Sequence, residues 1–176
     1  YAKAHFNLGG TFQDMGQLDS SVKSYEKAID IEPNYAEAHN NIGNVLRELG
    51  QLDSAIRYYE KTLLINPMYI EAHYSLGSIF EELGQLNSAV KCYEEVLVIK
   101  PEFAEMHNNL GVVLQNQGQL IDAVKHLEKA VTIKPNFAEA YNNLGNIHKD
   151  LDHYNEAINC FEIAISIKSN YAEAHF

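Results

Sequence analysis

The chain has 176 residues, 46% of them apolar, and a net charge of −11 from 24 acids against 13 bases. That apolar share suffices for a buried core and excludes disorder by composition. The acidic balance excludes nucleic acid and anionic membrane surfaces as natural partners, since both call for basic patches, and favours a neutral or basic one.

Taken in chain order, the predicted elements repeat. Gly9, Gly43, Gly77, Gly111 and Gly145 stand 34 residues apart. Ala55, Ala89, Ala123 and Ala157 share a second column, with Ser21 at its head, and Pro33, Pro67, Pro101 and Pro135 share a third, broken by Ser169. Tyr25, Tyr59 and Tyr93 continue as Leu127 and Phe161. A fixed period of this length marks an array of supersecondary units. The units are 2–35, 36–69, 70–103, 104–137 and 138–171, with the start of a sixth at 172–176; all lie in one array over 1–176.

Each unit reads as two helices without β alternation. In the second, Ala38, Ile42, Val45, Leu46 and Leu49 recur at helical steps and give one apolar face. Gly50 interrupts, and Asp53 is the expected N-cap of the next helix. That helix buries Ala55, Ile56, Tyr59 and Leu63 and stops before Pro67. Small residues at Gly43 and Ala55 let the two backbones approach, with Leu46 and Tyr59 filling the space around them.

The pattern His39-x-x-Ile42-Gly43-x-x-Leu46, then Ala55-x-x-x-Tyr59, then Pro67 resembles the tetratricopeptide repeat, and five tandem copies carry the resemblance over essentially the whole chain. It implies an all-α fold: a right-handed superhelical α-solenoid of stacked antiparallel helix pairs, first helices on the concave surface and second helices on the convex one. Such arrays are stabilised by neighbour contacts and need polar caps, so an apolar face is expected to be exposed at one end or both, giving scope for end-to-end self-association. The departures are His5, His39, His73 and His107 in the usual Trp position, Tyr141 in the fifth unit, Asp152 for the turn Gly and His148 for a large apolar residue. The fifth unit is therefore expected to be the least stable.

The histidine column, which His175 also joins, reads as packing rather than as a metal site. Residues one repeat apart are too distant to converge on one ion at about 2 Å, and His148 with Asp152 supplies only two ligands. Cys92 and Cys160, two repeats apart, read as ordinary thiols, since a disulfide needs Cα atoms within about 7 Å. Motifs for catalysis, nucleotide binding or cofactors are absent, and Glu81 with Glu82 reads as solvated surface. No catalytic residue, metal or cofactor is expected. The two cysteines and the lack of sequons, leader or apolar span suggest a cytoplasmic compartment. A chain opening on Tyr1 and closing in mid-motif reads as a fragment of a longer protein.

Asparagine marks the candidate site. Asn7, Asn41, Asn109 and Asn143 share a column broken by Ser75; Asn40, Asn108 and Asn142 precede it, with Phe6 and Tyr74 between, and Asn44 and Asn146 follow by three residues. Amides both donate and accept. A row of them on the concave face could hold an extended peptide by its main chain, with Tyr74 biasing side-chain choice. Alternatively, the same amides satisfy neighbouring groups between helices. The first-helix pattern is similar to the repeat arrays of O-GlcNAc transferases and related bacterial proteins, in which an inner ladder of asparagines engages polypeptide substrates. That resemblance implies the same role for Asn7, Asn41, Asn109 and Asn143.

Repeat domains that capture acidic chaperone tails carry Lys and Arg on their first helices. Here Lys3 is followed by Glu37, Glu71, Glu105 and Glu139, and Asp14, Glu48, Glu82 and Asp150 come later in the same helices. This favours a neutral or basic peptide. The expected function is a protein-interaction scaffold; the alternative is an oligomerising or substrate-recruiting region of a larger enzyme such as a glycosyltransferase.

Overall fold

The computed structural model describes the backbone of residues 1–173 and the side chains of residues 1–168. His175 and the side chains of the expected sixth unit lie outside the described residues. Ten helices and no strand occur among the described residues: α1 (Ala2–Asp14), α2 (Leu18–Ile31), α3 (Ala36–Glu48), α4 (Leu52–Ile65), α5 (Ile70–Glu82), α6 (Leu86–Ile99), α7 (Ala104–Asn116), α8 (Leu120–Ile133), α9 (Ala138–Asp150) and α10 (Tyr154–Glu173). The fold is all-α and built of helix pairs, the class of the α-solenoids.

Short turns make paired helices antiparallel. After α1, Gly16 adopts φ +70°, its N–H donates to the Gln13 carbonyl, and the Gln17 N–H donates to the Phe12 carbonyl. These two bonds satisfy carbonyls that the helix end would leave open. The same pair recurs at Gly50–Gln51 and Gly118–Gln119. At Asp152, φ is +61° and the bonds run from Asp152 to Lys149 and from His153 to His148. An L residue thus takes a conformation that glycine adopts without steric cost.

This closure corrects the expected cap at Asp53. Gln51 completes the turn and is itself the N-cap of α4, with no side-chain cap bond, while Asp53 lies inside the first turn. The closing bond uses the last residue before the helix, so no linker residue is left to cap it. Asp53 still places negative charge near the helix N-terminus, which favours it.

Second helices end two residues before Pro33, Pro67, Pro101 and Pro135. Three histidines then fasten the next helix to that turn: Nε2 of His39, His73 and His107 lies 3.0, 2.8 and 3.0 Å from the Pro33, Pro67 and Pro101 carbonyls. A carbonyl only accepts, so each Nε2 carries the proton. With Ser169 in place of proline, α10 continues to Glu173; serine keeps the amide proton that a helix interior requires.

The chain divides into two compact units, Tyr1–Leu83 and Gly84–Phe176. In the first, α1 pairs with α2 and α3 with α4, α3 packs on α2, and α5 packs on α4. In the second, α7 packs on α6 and pairs with α8, while α9 packs on α8 and pairs with α10. The core contact in each pair is a glycine against a large side chain. A Cβ at Gly9 would lie 2.7 Å from the Tyr25 ring, at Gly43 2.7 Å from Tyr59, at Gly111 2.7 Å from Leu127 and at Gly145 2.7 Å from Phe161. Gly43 therefore faces the Tyr59 ring itself. Tyr25, Tyr59 and Leu127 are buried, together with Ile42, Ile79, Met106 and Ile147. No helix among the described residues is long and apolar enough to cross a membrane.

Candidate binding face of the first helices

Helical spacing brings the asparagines onto the first helices of each unit. In the first unit these are Asn7 on α1, Asn40, Asn41 and Asn44 on α3, and Ser75 with Tyr74 on α5. In the second, α7 carries Asn108 and Asn109, and α9 carries Asn142, Asn143 and Asn146. Asn7, Tyr74 and Asn142 are exposed; Asn41, Asn44, Asn109, Asn143 and Asn146 are half-buried.

Burial removes two of the expected site residues from the accessible face. Asn40 is 4% exposed and Asn108 2%. One residue earlier on the helix than Asn41 and Asn109, they turn into the helix packing instead of towards solvent. Asn108 Nδ2 donates to Glu139 Oε1 at 3.3 Å, and its Oδ1 accepts from Asn143 Nδ2 at 2.9 Å. Asn40 Oδ1 has no hydrogen-bond partner among the described residues.

Internal satisfaction accounts for part of the Asn column, and its partner is the tyrosine column. The Tyr25 hydroxyl lies 3.3 Å from both Gln13 Oε1, to which it donates, and Asn41 Nδ2, from which it accepts. Sixteen residues separate Asn41 from Tyr25, and the same step leads from Tyr59 to Ser75. Where the tyrosine column becomes Leu127, no hydroxyl is offered, and Asn143 bonds Asn108 instead. The Tyr59 hydroxyl also donates to Asn44 Oδ1 at 2.7 Å; Phe161, which replaces tyrosine in the fifth unit, offers Asn146 no such bond. Burial raises the Tyr25 and Tyr59 pKa values, so both phenols stay protonated near neutrality.

Arg47 was not singled out by the sequence. Its Nη2 donates to Ser78 Oγ at 2.8 Å, tying α3 to α5. A cation 31 residues from its hydroxyl partner leaves no local signal. The acids on this face divide into two sets. Lys134 pairs with Glu105, and Asp150 accepts from Gln115 at 2.9 Å. Asp14, Glu37, Glu48, Glu71 and Glu82 are exposed. Cys92 and Cys160 are free thiols, and burial pushes the Cys92 pKa up to about 11 and raises that of Cys160. Neither is poised as a thiolate nucleophile. No three metal-ligating side chains converge among the described residues.

The periodic glycines, the αL turns and the small-against-large contacts are those of one repeat family, and its models match the sequence. A TPR repeat model matches residues 9–50, 43–84 and 78–118, and a tetratricopeptide repeat model matches 102–170. The chain belongs to the tetratricopeptide repeat family. Among solved structures, the crystal structure of MamA is 24% identical, with a TM-score of 0.89 over 94% of this chain and 97% of that one. MamA from residue 41 to its end, from Desulfovibrio magneticus RS-1, is 22% identical, with a TM-score of 0.88 over 96% of each chain. YrrB, described as a TPR protein with an unusual peptide-binding site, is 22% identical, with a TM-score of 0.83 over 98% of this chain and 89% of that one. At these identities the likeness is one of fold. No curated protein matches the sequence.

Proposed function

We propose that this repeat array is a non-catalytic protein-interaction scaffold whose first-helix faces receive extended segments of a partner. The observation that carries this reading is the residual capacity of the half-buried amides. Asn41 spends Nδ2 on Tyr25, and Asn143 spends Nδ2 on Asn108, leaving each Oδ1 able to accept from a peptide N–H. Internal bonds fix the orientation of these side chains, so little rotamer entropy remains to be lost on binding. Exposed Asn7 and Asn142 extend the amide surface in their own units, and Tyr74 gives the first an aromatic anchor. Exposed Asp14, Glu48 and Glu82 favour a neutral or basic segment. YrrB, similar in fold, is a peptide-binding repeat protein.

The Asn column also supports the finer likeness to the O-GlcNAc transferase repeats, and with it a second reading as the substrate-recruiting region of a larger enzyme. Two free, unpaired thiols, Cys92 half-buried and Cys160 buried, suit a reducing, cytoplasmic setting for either reading.

The test is a peptide array probed with wild type and with the Asn41→Ala/Asn109→Ala/Asn143→Ala variant. Loss of captured peptides by a folded variant is expected. Unchanged capture would remove the asparagines from the binding role. In the full-length protein, deleting the array should abolish modification of protein substrates while sparing small acceptors if the second reading holds.

A further inference from the structure

A second candidate site lies where α6, the α6–α7 turn, α7 and α8 line an open pocket of about 600 Å³. Its apolar lining comes from Leu97, Val98 and Pro101, and Val98 is 75% exposed. Two imidazoles form another wall: His107 Nδ1 lies 3.0 Å from His126 Nδ1.

Their proton positions follow from one fixed acceptor. His107 Nε2 lies 3.0 Å from the Pro101 carbonyl and must donate to it. In the neutral ring, His107 Nδ1 is then an acceptor, so His126 Nδ1 carries the proton between them. The remaining nitrogen, His126 Nε2, is left with a lone pair and no hydrogen-bond partner among the described residues, on a half-buried ring that lines the pocket. This arrangement occurs once among the described residues. The columns occupied by His107 and His126 hold His39 and Tyr58 in the second unit and Tyr141 and Cys160 in the fifth.

Charge selects the occupant. On α6, Glu94 and Glu95 line the pocket and pair with no cation among the described residues, whereas Glu102 is held by Lys129 at 2.8 Å. Charged or titratable groups acting on His126 are His107 from α7 and Asp122 and Lys125 on its own helix. Desolvation, followed by the influence of His107, lowers the His126 pKa and keeps the ring a neutral acceptor at pH 7. An acceptor nitrogen, two unpaired carboxylates and an aliphatic floor match a cationic head on a hydrocarbon stem.

We propose that this pocket receives an arginine or lysine side chain of a protein partner, with His126 Nε2 accepting a hydrogen bond from the cation and Glu94 and Glu95 supplying the opposing charge. The carboxylates alone would attract a cation almost equally at pH 5 and pH 7.5, because ordinary glutamates remain mostly ionised across about that range. The imidazole acceptor is lost on protonation and becomes a like charge. Binding should therefore weaken as His126 titrates, and a bound cation should lower the His126 pKa further.

The experiment follows the His126 ring resonances by NMR in the whole chain, titrating with N-acetyl-arginine amide, N-acetyl-lysine amide and uncharged N-acetyl-norleucine amide. The two cations should shift the resonances saturably near pH 7.5, bind at least about threefold more weakly near pH 5, and depress the His126 titration midpoint. Glu94→Gln/Glu95→Gln should weaken binding at both pH values while leaving the fold intact. The Asn41→Ala/Asn109→Ala/Asn143→Ala variant should bind these amides as wild type does, so failure of the first-helix reading would leave this one standing. Equal binding of the norleucine amide, pH-independent cation binding, or no saturable shift with either cation would overturn the proposal.

Discussion

Gly43→Ala should destabilise the protein although it replaces a helix-interior glycine with the best helix former. The added Cβ would lie 2.7 Å from Tyr59 Cε1 and 2.9 Å from Cδ1 and Cζ, against about 3.5–4.0 Å for ordinary carbon contacts. The ring must yield by about 1 Å, yet it is 0% exposed and its hydroxyl is held by Asn44 at 2.7 Å. Overpacking of this kind costs about 1–3 kcal/mol, while helix propensity returns about 1 kcal/mol. The expected net loss, up to about 2 kcal/mol, is up to roughly 8 °C in Tm for a chain of this size. Gly10→Ala is the internal control: its nearest non-local atom is the Tyr25 hydroxyl oxygen at 3.6 Å. With no clash to offset the propensity term, it should gain about 0.5–1 kcal/mol. Thermal unfolding followed by far-ultraviolet circular dichroism compares the pair directly. Gly43→Ala matching Gly10→Ala in sign would refute the argument that the glycine column is set by ring contact.

Asp152→Gly should raise Tm: the αL conformation costs an L residue about 1–2 kcal/mol, of which part is recovered here, and a lowered Tm would show that the turn is not strained. Asn143→Ala leaves the buried Asn108 Oδ1 without its donor and should cost about 1–3 kcal/mol, whereas exposed Asn7 should tolerate alanine within about 0.5 kcal/mol; urea midpoints distinguish the two. The folded-state pKa of His126 lies below its unfolded value, so its contribution is present above about pH 6.5 and is lost as pH falls through the folded pKa. A His126→Phe variant should therefore show a shallower loss of stability below about pH 6.5 than wild type, and an unchanged slope would place the titration elsewhere.

Most of the fold is legible because each unit is local. A glycine at the end of the first helix and a proline after the second act within a few residues of themselves, and the small residues meet their large partners within the same helix pair. Even the one departure from glycine, Asp152, marks the αL turn correctly. Where the sequence reading failed, the deciding bond ran elsewhere. Asp53 does not cap α4 because the preceding turn closes on Gln51. Asn108 shares its column with Asn142, yet Asn108 is buried against Glu139 and Asn143 of α9 while Asn142 is exposed, so the helix packed alongside, not the residue or its register, decides.

Sequence by itself determined the period, the helices, their turns, the acidic balance and the columns from which any binding face must be drawn. Tertiary structure decided which amides remain available, because that depends on what the helix packed alongside offers. Tyr25 supplies a hydroxyl to Asn41; Leu127 supplies none, and Asn143 turns to Asn108. It also set His107 Nδ1 3.0 Å from His126 Nδ1, 19 residues away, so that a packing histidine fixes the proton on a second ring. Hydrogen bonds are satisfied between neighbours in space, and a column shows only neighbours in register.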